Sequence, residues 1–93
     1  MNRWQEYYLN RLYDGKNPRS KQGKRELELL GNCKERVTVH FPDFYSPRGF
    51  KPAHVETYRI VEDGCDMPNG IIDVLVLAGN LTLWTDRGYR IDY

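Results

Sequence analysis

The stretch Ile71 to Thr85, IIDVLVLAGNLTLWT, decides how the rest of the chain is read. Ile71 to Ala78 is apolar at every position except Asp73, the pattern of a central strand buried on both faces. Gly79-Asn80 then sits between two apolar runs at the length of a two-residue hairpin loop of the II′ kind. In that register Val76 faces Leu83 and Leu75 faces Trp84, so both faces pair apolar with apolar or aromatic. Strand, tight turn, strand is the expectation for 71–85. Asp73 interrupts it, and a buried carboxylate needs a partner. Arg59 or Arg90 is the expected cation, with a partner-facing or catalytic acid as the alternative.

Three more short strands lie around this pair. Val37, Val39 and Phe41 alternate with Thr38 and His40, a strand with one buried face. His54 to Val61 is strand-like, and Tyr89, Ile91 and Tyr93 alternate with Arg90 and Asp92. Between them, Asp63 to Gly70 (DGCDMPNG) is dense in turn residues and reads as a connection.

Further toward the N-terminus the period lengthens. Trp4, Tyr7, Tyr8 and Leu12 fall on one helical face, with Leu9 at its margin, Asn2 as a cap and Asp14-Gly15 as a stop. Lys24 to Leu30 reads as a second short helix ended by Gly31-Asn32. The expected fold is therefore α+β: two N-terminal helices packed on a small five-stranded antiparallel sheet or barrel. A long first loop, a medium second, a two-residue third and a very short fourth form an order that resembles small SH3-like barrels over residues 35–93. That resemblance implies closure; an open sheet with the helices on one face is the other arrangement. One domain is expected over 1–93, with a helical part at 1–31 and a β part at 35–93.

Length and charge bound the function. With 93 residues there is room for one modest core and no large internal cavity. No apolar run of about 18 residues exists to span a membrane, and Met1 to Gly15 carries charges where a secretory leader would be apolar, so a cytoplasmic protein is expected. The net charge of +1 conceals an asymmetry. Met1 to Lys51 holds 11 Lys and Arg against 6 acids, a balance of +5; Pro52 to Tyr93 holds 3 against 7, a balance of −4.

No nucleophile elbow, phosphate loop, zinc-protease helix or paired-cysteine motif is present, so no cofactor, metal or enzymatic activity is expected. Cys33, Cys65, His40 and His54 lack the tight pairing of structural zinc ligands and read as reduced thiols and surface imidazoles. His40 and His54 could serve a small metal-independent nuclease only if both reached one phosphate.

Two segments carry the signatures of contact. Pro42 to Pro52, PDFYSPRGFKP, reads as an ordered loop in which Phe44, Tyr45 and Phe50 interleave with Arg48 and Lys51, residue types enriched at protein interfaces. Its prolines lower the entropy cost of holding one shape. The competing expectation is that these rings close one end of the core. The second segment is the basic loop 15–25, with Lys16, Arg19, Lys21, Lys24 and Arg25 near Trp4, Tyr7, Tyr8 and Tyr13. Cations beside rings suit nucleic acid, although the pI of 7.8 is low for a dedicated binder and the helical spacing assigns the rings to the core. A protein partner is the first expectation and nucleic acid the second, with no membrane. The profile is that of a small regulator, inhibitor or assembly component, as phage and mobile-element accessory proteins often are.

Overall fold

A computed structural model describes residues 1–61, 64–67 and 70–93, and the side chains of 1–60 and 73–93. The order is α1 (Arg3–Tyr13), α2 (Lys21–Asn32), β1 (Arg36–Phe41), β2 (Phe44–Ser46), β3 (Gly49–Lys51), β4 (His54–Val61), β5 (Gly64–Met67), β6 (Gly70–Ile72), α3 (Val74–Asp86) and β7 (Arg90–Asp92). The class is α+β. Five strands form one antiparallel sheet in the order β6-β5-β4-β1-β7, and β2-β3 form a separate two-stranded ribbon. Both sheets are open, so the barrel expected from loop lengths is corrected: β6 and β7 remain edges and never meet.

The largest correction falls on the stretch that set the reading. Residues 74–86 are one helix, with no hairpin at Gly79-Asn80. Helical period explains the burial better than alternation does: Val74, Leu77, Ala78, Leu81 and Trp84 are buried, while Val76 and Leu83 are exposed and do not face each other across a ladder. Asp73 starts the helix, its carboxylate accepting the Leu75 backbone N–H at 2.9 Å. A helix satisfies its own backbone, whereas two strands here would each need a further pairing partner. Gly79 costs α3 about 1 kcal/mol relative to Ala and is tolerated. The expected turn region also changes, because β5 lies within it and β6 runs from its last residue, Gly70, through Ile71 and Ile72, the only part of 71–85 that is a strand. Residues 63, 68 and 69 of that expected turn, residue 62 before it, and the Cys65 side chain lie outside the described set.

The N-terminal helices form as their caps direct. The Asn2 side chain accepts from Gln5 N while the Gln5 side chain accepts from Asn2 N, a reciprocal capping box. Asp14 ends α1 in the left-handed region at φ 51°. Trp4, Tyr8 and Leu9 are its buried residues, whereas Leu12 is half exposed, so the buried stripe is shifted toward Leu9. Ser20 caps α2, which begins three residues earlier than expected. Gly23 lies where a Cβ would come within 2.7 Å of Pro18 and would also crowd the Tyr13 hydroxyl.

The helices cover one face of the sheet. On it Val37, Val39, Tyr58 and Ile60 meet Trp4, Tyr8, Leu30, Leu77 and Trp84 in one core. Tyr58 and Trp84 stack at 5.4 Å, and Phe41 meets the Trp84 edge at 5.8 Å. The opposite face is polar: Thr38 bonds Thr57 across the β1–β4 pair at 3.2 Å, beside Arg36 paired in register with Arg59.

Candidate functional site

The Pro42–Pro52 segment is an arm rather than a simple loop. β2 and β3 pair Phe44 with Lys51, Tyr45 with Phe50 and Ser46 with Gly49, around a turn at Pro47-Arg48. Local chemistry fixes its shape. The Ser46 hydroxyl donates to the Gly49 carbonyl at 3.0 Å, and Gly49 takes φ 138°, a value that L side chains rarely adopt. At the base, Asp43 accepts the Ala53 backbone N–H at 2.6 Å and ties the two legs together. The three prolines stand at the ends and the turn, where no ladder bond is lost.

Alternation gives this ribbon two faces. Tyr45 and Phe50 share one face, their rings 4.8 Å apart. Phe44 and Lys51 share the other and line a cleft with Phe41, His54, Arg87 and Tyr89. Phe44, Tyr45 and Phe50 are 59%, 76% and 55% exposed, so the arm does not plug the core. Exposed rings of this size on a braced ribbon cost solubility without adding to the core. Arg48 and Lys51 are exposed beside them.

The basic segment is assembled differently. Lys16 and Arg19 lie in the α1–α2 connection, whereas Lys21, Lys24 and Arg25 are residues of α2, which corrects the expectation of a loop over 15–25. The first turn of α2 contains no acid, so Lys21 stands against the positive end of the helix dipole. Arg25 pairs with Asp86 at 2.6 Å. Of the four neighbouring rings, Trp4 at 5% exposed and the fully buried Tyr8 are not stacking surfaces, and Tyr7 and Tyr13 are half-buried against the core. Trp4 Nε1 donates to the Lys34 carbonyl at 3.0 Å, and Tyr8 donates to Glu26 at 2.7 Å. Burial, and then the Glu26 hydrogen bond, push the Tyr8 phenol above its ordinary pKa.

The two histidines are not brought together. His40 pairs in register with Val55, and Phe41 with His54, so alternation puts the imidazoles on opposite faces of the sheet. His40 Nε2 lies 2.7 Å from Asp92 on the uncovered face, and this hydrogen bond is the main cause holding the Asp92 carboxyl below the usual carboxylate range. His54 stacks on Phe41 at 4.8 Å, with Nε2 3.4 Å from Glu56. Asp73 pairs with Arg11 at 3.0 Å rather than with the expected Arg59 or Arg90. Cys33 is buried at the α2 C-cap. Among the described residues no group of three or more His, Cys, Asp or Glu is placed to hold a metal ion. No helix among them is long and apolar enough to cross a membrane.

Of the contact candidates the sequence offers, Phe44 and Lys51 line the cleft, and Arg87 and Tyr89, which the sequence does not single out, reach it from the α3–β7 corner. Their only sequence signal is a cation and a ring next to Gly88, and nothing local points them at residue 51. Compared with protein-family models, curated proteins and solved structures, the chain has no significant match in any of the three.

Proposed function

We propose that this chain is a non-enzymatic interaction protein, a regulator, inhibitor or assembly component, that grips a protein partner with the β2–β3 arm. The observation that carries this reading is the exposure of Phe44, Tyr45 and Phe50 on a ribbon whose base and turn are both braced. Buried against a partner, each ring removes enough apolar surface to contribute about 1.5–3 kcal/mol. Bracing keeps the entropy cost of binding low.

Affinity capture on the immobilised full chain, from nuclease-treated extract of the native host, tests it. Wild type should retain a defined protein that Phe44→Ala with Phe50→Ala loses, while the thermal midpoint stays within a few degrees. Retention that survives the double substitution rejects the arm. Loss of retention on nuclease treatment instead favours nucleic acid.

A second reading, nucleic-acid binding, is favoured by one observation. Lys16, Arg19, Lys21 and Lys24 are all exposed, and no acid in the first turn of α2 offsets Lys21. If these and Arg25 all met phosphates, binding would show a log–log salt slope of about −4. Replacing the five with Gln should then abolish retention on heparin, and unchanged retention rejects this reading.

A further inference from the structure

The arm covers one side of a cleft whose chemistry names what enters it. Its floor is Phe41, held from behind by the buried Trp84 at 5.8 Å and flanked by Tyr89 at 5.5 Å. Phe44 and Lys51 of the arm form one wall, and Arg87 at the end of α3 forms the other. His54, stacked on the floor, is oriented by Glu56, whose other oxygen accepts the Tyr58 hydroxyl at 2.6 Å. Among the described residues the lining contains no acid.

Charge pairing elsewhere in the molecule makes the imbalance specific. Arg11, Arg25 and Arg90 pair with Asp73, Asp86 and Asp92, respectively. The nearby acids are likewise occupied: Asp43 on Ala53, Glu56 on His54 and Tyr58, Asp92 on His40 and Arg90. Lys51 and Arg87 have no acid within ion-pair distance among the described residues. The adjoining hollow shares Phe41, Arg87 and Tyr89 with the cleft and differs in that its other two basic groups, His40 and Arg90, are already paired with Asp92. Size narrows the occupant further. The cleft measures about 180 Å³, below the ~300 Å³ at which small-molecule sites begin, so it suits one side chain better than a nucleotide or cofactor.

We propose that this cleft seats an acidic side chain of the protein partner, its carboxylate between Lys51 and Arg87 and its methylenes on Phe41, Phe44 and Tyr89. The site rests on the reading of the arm as a protein-binding element and adds the chemistry of the residue it anchors. A carboxylate there meets an Arg fork and an ammonium beside low-dielectric walls, where charge-assisted hydrogen bonds are stronger than in open water.

Amide shifts of the ¹⁵N-labelled chain, titrated separately with acetyl-Leu-Glu-Leu-amide, acetyl-Leu-Gln-Leu-amide and adenosine monophosphate, test it. The Glu peptide should move the amides of Phe41, Phe44, Lys51, His54, Arg87 and Tyr89 and bind about tenfold more tightly than the Gln peptide, the effect of one charge-assisted contact. Lys51→Gln and Arg87→Gln should each remove most of that preference, with the remaining spectrum unchanged because both side chains are exposed; Lys51→Arg should retain it. Equal binding of the two peptides, shifts elsewhere, no shifts up to the solubility limit, or tighter binding of the nucleotide overturns the proposal. Failure here is separable from failure of the arm. A wrong cleft leaves partner capture sensitive to Phe44→Ala with Phe50→Ala yet indifferent to Lys51→Gln with Arg87→Gln; a wrong arm leaves capture indifferent to the ring substitutions.

Discussion

The N-terminal helices and the β2–β3 arm have nearly the same ingredients, rings interleaved with cations, and use them in opposite ways. In α1 and α2 the largest rings are spent on the core: Trp4 and Tyr8 are buried, and the solvent side carries Lys and Arg together with acids and amides. In the arm both rings and cations face solvent, on a ribbon whose strands pair only with each other. A segment rich in Tyr, Phe, Lys and Arg is therefore not a contact surface by composition. The deciding quantity is whether period and position deliver the rings to the interior.

The sharpest way to break this contrast is to truncate one ring on each side. Trp4→Ala empties a core site and removes the bond to Lys34, and should cost about 3–5 kcal/mol in urea unfolding. Phe50→Ala should cost less than about 0.5 kcal/mol, as an exposed position does. Comparable losses would place the arm in the core after all. Next in size is Asp73→Ala, which removes the α3 cap and the ion pair to Arg11, for about 1 kcal/mol and a lower helical signal in far-ultraviolet dichroism. An unchanged midpoint would remove the helix start from residue 73.

Asp73 also shows how much of the fold could be read in advance. Caps were legible where polar residues bound a clear helical period, as Asn2 and Asp14 do for α1. β1 and β4 were legible from alternation. α3 was not, because it is apolar nearly all round: with Val76 and Leu83 exposed as well, the 3.6-residue period is masked and a short apolar run fits strand or helix equally. Asp73 just before that run was the available signal, an N-cap rather than an interruption. The arm was legible as a candidate contact segment and an ordered loop but not as a hairpin, since three prolines argue against strand pairing unless, as here, they sit only at its ends and turn. The cleft was not legible at all, because Lys51 on β3 and Arg87 at the end of α3, 36 positions apart, line it together only in the folded chain.

Smaller effects sharpen the helical side of the comparison. Lys21→Glu puts an acid at the N-terminus of α2 and should raise stability by about 0.3–1 kcal/mol, measured at low salt. A loss would mean that Lys21 has a structural partner. The smallest effect is expected at Asp92. Its carboxyl titrates below the usual range, so its stabilising contribution is complete above the ordinary pKa of about 3.9 and fades as pH falls through the lowered value. Asp92→Asn should therefore flatten the acid limb of the stability profile, and an unaltered limb would mean the His40 contact has no stabilising role.

The contrast itself is tested most directly by measuring partner affinity and unfolding free energy on the same Tyr45→Ala with Phe50→Ala protein. We expect partner affinity to fall at least about tenfold, as for truncated interface anchors, with unfolding free energy within about 1 kcal/mol of wild type. Unchanged affinity, or a loss of affinity matched by loss of the folded state, would contradict the assignment of the arm as the contact element.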